Sequence, residues 1–232
     1  MRKHVVVLTG AGISAESGLP TFRDLGGLWQ NISVQELASP EGWARDPGRV
    51  LAFYNERRRQ VRAAQPNPAH VALARLERHH DVTIITQNVD DLHERAGSTR
   101  VIHLHGEILK ARSTRDPSLV YYLGERDIEP GDTCELGSPL RPDVVWFGEP
   151  VPRIDEAVEV SRQADLYCVI GTSLQVHPAA ALIHWRRPGV PLWLIDPNAS
   201  LHVPGARVIR KTASEGVPEW VDSLMGEPVR LS

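Results

Sequence analysis

Four short stretches of the chain carry residue types whose spacing could do chemistry. The first is Gly10-Ala11-Gly12-Ile13-Ser14-Ala15, which follows an apolar run and satisfies the G-x-G-x-x-A form of the dinucleotide fingerprint. Glycines after a first strand let the backbone approach a pyrophosphate, and the amides opening the next helix add donors and a favourable dipole. The same residues also read as a tight strand-to-helix turn. A dehydrogenase would carry an acidic residue about 20 positions further on, at the end of a second strand. Here residues 18–29 read "GLPTFRDLGGLW", a glycine, proline and aromatic loop suited to closing over a ligand. The second stretch is "TQNVDD", where Gln87, Asn88 and Asp90 leave an apolar run; Asn88 or Asp90 taken singly also reads as a helix cap. The third is "HLHGE", with His103 and His105 as candidate general bases, since imidazole titrates near neutrality unperturbed. The fourth is Gly171-Thr172-Ser173, a small polar turn that accommodates ribose or phosphate, or simply connects two elements.

The elements that must hold these residues alternate. Strand-like runs at 5–9, 82–86, 101–104, 144–147, 166–171, 191–195 and 206–209 are separated by helical patterns. Such alternation indicates an α/β fold, a mostly parallel Rossmann-like sheet with helices on both faces. Asp46-Pro47 and Asn67-Pro68 each place a capping residue before proline at the first helical position. Two segments break the alternation. Residues 30–65 read as two or three helices and 107–138 as strand and loop; both are assigned to a smaller inserted lobe. The Rossmann-like domain is then 1–29, 66–106 and 139–232. The four chemical stretches all fall where apolar runs end, the edge at which open α/β sheets bind ligands.

Bulk properties exclude several classes. With 232 residues, 41% apolar and 24% charged, the chain can bury a full core. A net charge of -3 provides no strong field for nucleic acid or anionic lipid, so neither a stable nucleic-acid complex nor a membrane partner is expected. No apolar run approaches the roughly 20 residues of a membrane span. The opening "MRKHVVVLTGAG" turns into glycine too early for a signal peptide, which gives the expectation of a cytoplasmic protein. Two cysteines, Cys134 and Cys168, make neither a disulfide framework nor, alone, a thiolate metal site.

Taken in order, "GAGISAESGLPTFRD", "GGLW", "TQNVDDLHERAG", "HLHGE", "RPDVVWFGE", "GTSLQVHPAA" and "TASEGVPEWV" resemble the sirtuins, NAD-dependent protein deacylases, over nearly the whole chain. The resemblance implies that NAD is bound for cleavage at the nicotinamide–ribose bond and not for hydride exchange. It implies that Gly10, Ala11, Gly12, Ile13 and Ala15 line the pyrophosphate, with Phe22, Arg23, Asp24 and Trp29 on the adjoining loop. Gln87, Asn88 and Asp90 would hold the nicotinamide and ribose. Gly171, Thr172, Ser173, Asn198 and Ala213 would surround the adenosine half. His105, which directly precedes Gly106, matches the catalytic histidine, with Asn88 beside it. By the same resemblance the acyl-lysine carbonyl attacks the ribose as nicotinamide leaves, His105 acts as base for a ribose hydroxyl, and O-acyl-ADP-ribose is released. Val145, Phe147, Gly148 and Glu149 match the stretch that pairs backbone to backbone with an acyl-lysine peptide or protein.

Two features refine the resemblance. Tyr54 and Arg57, three apart on one helical face, match the Y-x-x-R pair of the subgroup that removes succinyl and malonyl groups, with small Ala38 leaving space for a longer acyl chain. Arginine offers a planar fork to a carboxylate and tyrosine a hydroxyl donor. The neighbouring Arg58 and Arg59 read as a solvated face. The family's zinc pairs are degenerate: C-x-x-C is replaced by Ser113-Thr114-Arg115-Asp116 and Cys134-Glu135-Leu136-Gly137. One thiolate of four leaves a zinc-ribbon-like segment for which no metal is expected. The competing activities are an ADP-ribosyltransferase using the same NAD cleavage, and a non-catalytic NAD or ADP-ribose binding module.

Overall fold

Apolar runs without polar alternation become strands buried on both faces. The computed structural model describes residues 2–21, 34–198 and 203–226. In chain order the elements are β1 (His4–Thr9), α1 (Val34–Leu37), α2 (Pro40–Arg45), α3 (Pro47–Ala63), α4 (Pro68–Leu76), β2 (Asp81–Thr86) and α5 (Leu92–Arg95). There follow β3 (Val101–His103), β4 (Gly106–Ser113), β5 (Val120–Tyr122), β6 (Leu140–Val144), α6 (Ile154–Gln163), β7 (Leu166–Ile170), β8 (Leu192–Ile195), β9 (Ala206–Ile209) and α7 (Ala213–Met225).

Six strands pair in the order β3-β2-β1-β7-β8-β9, all parallel. Because side chains alternate along a strand, Val5 and Val7 face one way and Val6 and Leu8 the other. The first pair packs with Leu73 and Leu76 of α4 and with Val217 and Trp220 of α7. The second packs with Ala157 of α6 and with Leu182 and Ile183. The strand order runs outward from β1 in one direction and from β7 in the other, so the topological switch point lies between them.

The helix starts read from sequence are present. The Asp46 carboxylate accepts from the Arg49 amide at 2.9 Å. The Asn67 side chain accepts from the Ala69 amide, while His70 Nδ1 accepts from the Asn67 amide, closing a capping box.

Four sequence expectations are corrected. The run 144–147 is not a strand of the main sheet: Leu140–Val144 pairs antiparallel with β4 in a separate sheet of order β5-β4-β6. Apolar content alone does not separate a main-sheet strand from a segment buried between lobes, and Trp146 is 2% exposed beside Tyr54 and Ile108. The glycine loop opens into two 3-10 turns, Ala11–Ile13 and Ala15–Ser17, in place of a regular helix. The segment after residue 178 is likewise a 3-10 helix, Ala179–His184. Arg58 is not solvated: it is fully buried, its Nε donating to the Ile108 carbonyl at 2.7 Å and one terminal nitrogen to Asn55. The Asn55 side chain in turn bonds both backbone groups of Ile128, so helix α3 is tied to the 107–138 segment at two points.

Candidate active site

The loops after β1 and β7 meet at the switch point through backbone, because glycine leaves no other option. The Gly12 amide donates to the Gly171 carbonyl at 2.8 Å, and the Gly10 amide to the Ile170 carbonyl at 3.0 Å. A Cβ on Gly12 would stand 2.7 Å from Gly171 Cα, and one on Gly171, whose φ is 60°, only 2.5 Å from the Ile13 amide nitrogen. Ala11 and Ala15 lie half-buried on this loop, whereas the Ile13 side chain is wholly buried in the core beneath it. Beside it Thr172 Oγ1 accepts from Gln87 Nε2 at 3.0 Å and from the Leu174 amide at 3.2 Å, and Ser173 is half-buried next to it. Ala213 is buried in the first turn of α7, where the Ser214 amide donates to the Glu16 carboxylate at 2.9 Å. Asn198, after β8, is exposed, with its amide bonded to Asp196. Phe22, Arg23, Asp24 and Trp29 lie outside the described residues.

Below the loop a buried polar group is held from several sides. Asn88 Nδ2 donates to Ser14 Oγ at 3.1 Å, and Ser14 Oγ donates to Asp90 Oδ2 at 3.1 Å. The Asn88 amide donates to Thr86 Oγ1 at 3.0 Å, and its carbonyl accepts from His103 Nδ1 at 3.1 Å. With its amide nitrogen committed, Asn88 has its side-chain oxygen left to accept from a ligand. Burial pushes the Asp90 carboxyl above the usual range, opposed by donation from the Leu92 amide and Ser14.

The two histidines of "HLHGE" are separated by their partners. His103 is buried between the Asn88 carbonyl and Glu94, whose carboxylate is 2.8 Å from Nε2. Burial works against its charge, but the hydrogen bond and charge of Glu94 outweigh it and raise the His103 pKa. His105 is half-buried and its Nδ1 lies 3.0 Å from the Gln87 carbonyl. A carbonyl only accepts, so Nδ1 carries the proton and Nε2 is the open lone pair. Burial lowers the His105 pKa, only partly offset by that carbonyl, which keeps the ring neutral and able to take a proton. Gly106 gives this histidine its position: with φ at 79°, a Cβ there would lie 2.1 Å from the Asp143 carbonyl oxygen.

On the other side of the site, Tyr54 is buried and its hydroxyl oxygen accepts from Trp146 Nε1 at 3.0 Å. Burial raises the Tyr54 pKa to about 12. Arg57 is half-buried, 5.7 Å over the Phe53 ring, and burial lowers its pKa against the opposing charges of Tyr54 and Asp90. The strip that follows is partly used internally. The Val145 amide donates to the His105 carbonyl and the Phe147 amide to the Ala38 carbonyl, both at 2.9 Å. Phe147 is half exposed and Gly148 has φ 91°. The Glu149 carboxylate accepts from Arg141 at 2.6 Å, from Arg112 at 3.2 Å and from the Trp146 amide at 2.8 Å, so its side chain braces the strip from within.

Glycine-locked loops at a switch point, a held amide beside a buried carboxyl, and a neutral imidazole with one free nitrogen are linked into one site by hydrogen bonds through Ser14 and Gln87. The Sir2 family profile matches residues 10–178. The chain belongs to the Sir2 family. It is 52% identical over 225 residues to an NAD-dependent protein deacylase of Helicobacter pylori, covering 96% of this chain and 98% of that one. A solved Sir2 homologue in complex with NAD is 44% identical with a TM-score of 0.88, covering 97% of this chain and 90% of the other. A second, Sir2 bound to an acetylated peptide, is 32% identical with a TM-score of 0.80, covering 97% and 94%.

At the positions of the degenerate C-x-x-C pairs, Ser113–Asp116 and Cys134–Gly137, the side chains form a small cluster around Cys134. The Cys134 thiol lies 3.3 Å from Ser113 Oγ and 3.1 Å from Ser138 Oγ, and Ser113 Oγ also accepts from the Arg115 and Asp116 amides. These hydrogen bonds, Ser113 first, lower the Cys134 pKa to about 7. Among the described residues no group of three or more His, Cys, Asp or Glu side chains could hold a metal ion, and no helix is long and apolar enough to cross a membrane. Sequence reasoning missed two residues of the site. Ser14 joins Asn88 to Asp90, and a small polar residue at the fourth position past Gly10 of a tight turn was the available signal. Trp146 was passed over between Val145 and Phe147, although a buried tryptophan needs an acceptor for its N–H.

Proposed function

We infer that the crevice at the switch point performs NAD-dependent removal of acyl groups from lysine side chains, which is the activity of the deacylases this chain resembles. The protein is an NAD-dependent protein-lysine deacylase that uses NAD. Bound NAD supplies the nicotinamide–ribose bond to be cleaved and the ADP-ribose that accepts the acyl group. Gly10, Ala11, Gly12 and Ala15, with Gly171, Thr172, Ser173, Asn198 and Ala213, are proposed to hold its phosphates and adenosine, and Gln87, Asn88 and Asp90 its nicotinamide end. Ser14 orients the Asn88 amide by accepting from it. His105 takes a proton at Nε2 from a hydroxyl, with the Gln87 carbonyl fixing the tautomer. The acyl-lysine segment is proposed to lie along Val145, Phe147 and Gly148. The observation that carries this reading is the neutral, half-buried His105 with one nitrogen committed to Gln87 and the other open.

Tyr54 and Arg57 refine the substrate class to acidic acyl groups, succinyl and malonyl, beside acetyl. In support, the Arg57 guanidinium has no carboxylate within 4.0 Å among the described residues, unlike Arg58, Arg59 and Arg62, which all reach Asp127. An acidic acyl group brings the missing counter-charge. The two cysteines are free, which suits the reducing cytoplasm where we place the enzyme. The test is peptide deacylation with and without NAD, followed by mass spectrometry on succinyl-lysine and acetyl-lysine peptides. Arg57→Met should lower kcat/KM on the succinyl peptide by roughly tenfold or more, with much less change on the acetyl peptide. Equal loss on both would remove the pair from specificity, and ADP-ribosylated peptide as the main product would favour a transferase.

A further inference from the structure

The contact between Trp146 and Tyr54 has a direction. An indole N–H only donates, so in this contact the phenol oxygen must accept, and the hydrogen of Tyr54 lies elsewhere on that oxygen. Among the described residues that hydrogen has no acceptor, and neither has the adjacent Arg57 guanidinium. A pair left with donors to offer, Tyr54 buried and Arg57 half-buried, is built for a ligand that only accepts. The indole itself is clamped. Trp43 lies 5.7 Å from its ring, the Arg141 guanidinium lies 3.3 Å over its ring centre, and Arg141 is pinned by Glu149 and by the Val144 carbonyl at 2.9 Å. The Trp146 amide is bound by the same Glu149 carboxylate at 2.8 Å.

We propose that Trp146 is a positioning residue for acyl specificity: its N–H occupies the Tyr54 oxygen as acceptor, which directs the phenol hydrogen, beside Arg57, to the carboxylate of an acidic acyl group. This rests on the acidic-acyl reading of Tyr54 and Arg57. The bond into the phenol oxygen also polarises its O–H, making it a stronger donor. Burial keeps the phenol protonated, hence a donor, throughout the neutral range. Glu149 and Arg141 take part at one remove, by holding the indole.

Trp146→Phe removes the N–H and keeps an aromatic ring. The expected result is a KM for succinyl-lysine peptide raised roughly three- to tenfold, with kcat little changed and the acetyl-lysine KM moving far less. In a Tyr54→Phe background the same substitution should leave the succinyl KM where Tyr54→Phe put it, because the oxygen to be oriented is gone. A role in packing alone would instead raise KM for both peptides, or raise it equally in both backgrounds, and either result overturns the proposal. Should Trp146→Phe not fold, 3-benzothienylalanine at position 146 replaces only the N–H by sulfur and carries the same expectations. Wild-type protein without activity on succinyl-lysine overturns the acidic-acyl reading and this proposal together. Succinyl activity that falls in Arg57→Met and is untouched by loss of the indole N–H overturns this proposal alone.

Discussion

The crevice at the switch point and the small lobe hold their residues by opposite means. In the crevice the backbone is locked: Gly10, Gly12 and Gly171 are packed so closely that no Cβ fits, and Ser14 and Thr172 of these loops hydrogen-bond Asn88, Asp90 and Gln87. In the lobe the backbone is held by side chains, with Arg58 and Asn55 tying α3 to Ile108 and Ile128, and Ser113, Cys134 and Ser138 clustered together. The chemistry common to any substrate sits on the locked part. Tyr54 and Arg57 sit on α3 of the lobe, with Trp146 packed on Tyr54, and face the acyl group in our reading.

That contrast can be broken at either end. The largest stability effect is expected for Gly171→Ala, which combines a left-handed φ with a clash against backbone. A loss of about 3 kcal/mol or more is expected in denaturant unfolding, and a loss under about 1 kcal/mol would mean that the loop yields. Arg58→Met comes next. It leaves the Ile108 carbonyl and Asn55 without their buried partner, at a cost of about 2–3 kcal/mol, measured by the same unfolding; hydrogen exchange should show the loss concentrated in α3 and β4 and not in β1. The smallest effect is expected at Cys134. Cys134→Ala should lower Tm less than Arg58→Met does, and a zinc chelator should leave Tm of the wild type unchanged. A chelator-induced drop would show a metal where the serine cluster has been placed.

Much of the large domain was legible because its strands are continuous apolar runs and α4 starts on Asn67-Pro68, and in the lobe the start of α3 on Asp46-Pro47 was equally plain. What was not legible shares a cause. Residues 144–147 look like a sheet strand because burial between lobes demands the same apolar residues as burial in a sheet. Arg58 looks like its solvated neighbours because helical spacing does not say that Ile108 and Asn55 will meet its guanidinium. The glycine loop reads as a helix start, yet its close packing on Gly171 stops it at two 3-10 turns. At the site, His103 and His105 are distinguished by contacts from distant segments, Glu94 for one and Gln87 for the other. The family resemblance assigned His105, and the hydrogen bonds supply a physical reason for that assignment.

The coupling of NAD cleavage to lysine deacylation through His105 is measured most directly by following nicotinamide and deacylated peptide in the same reaction, for wild type and His105→Ala. Wild type should release the two in equal amounts, and His105→Ala should lower deacylated peptide by about 100-fold or more while Tm stays near that of the wild type. Deacylated peptide formed without nicotinamide, or at an undiminished rate in His105→Ala, would contradict it.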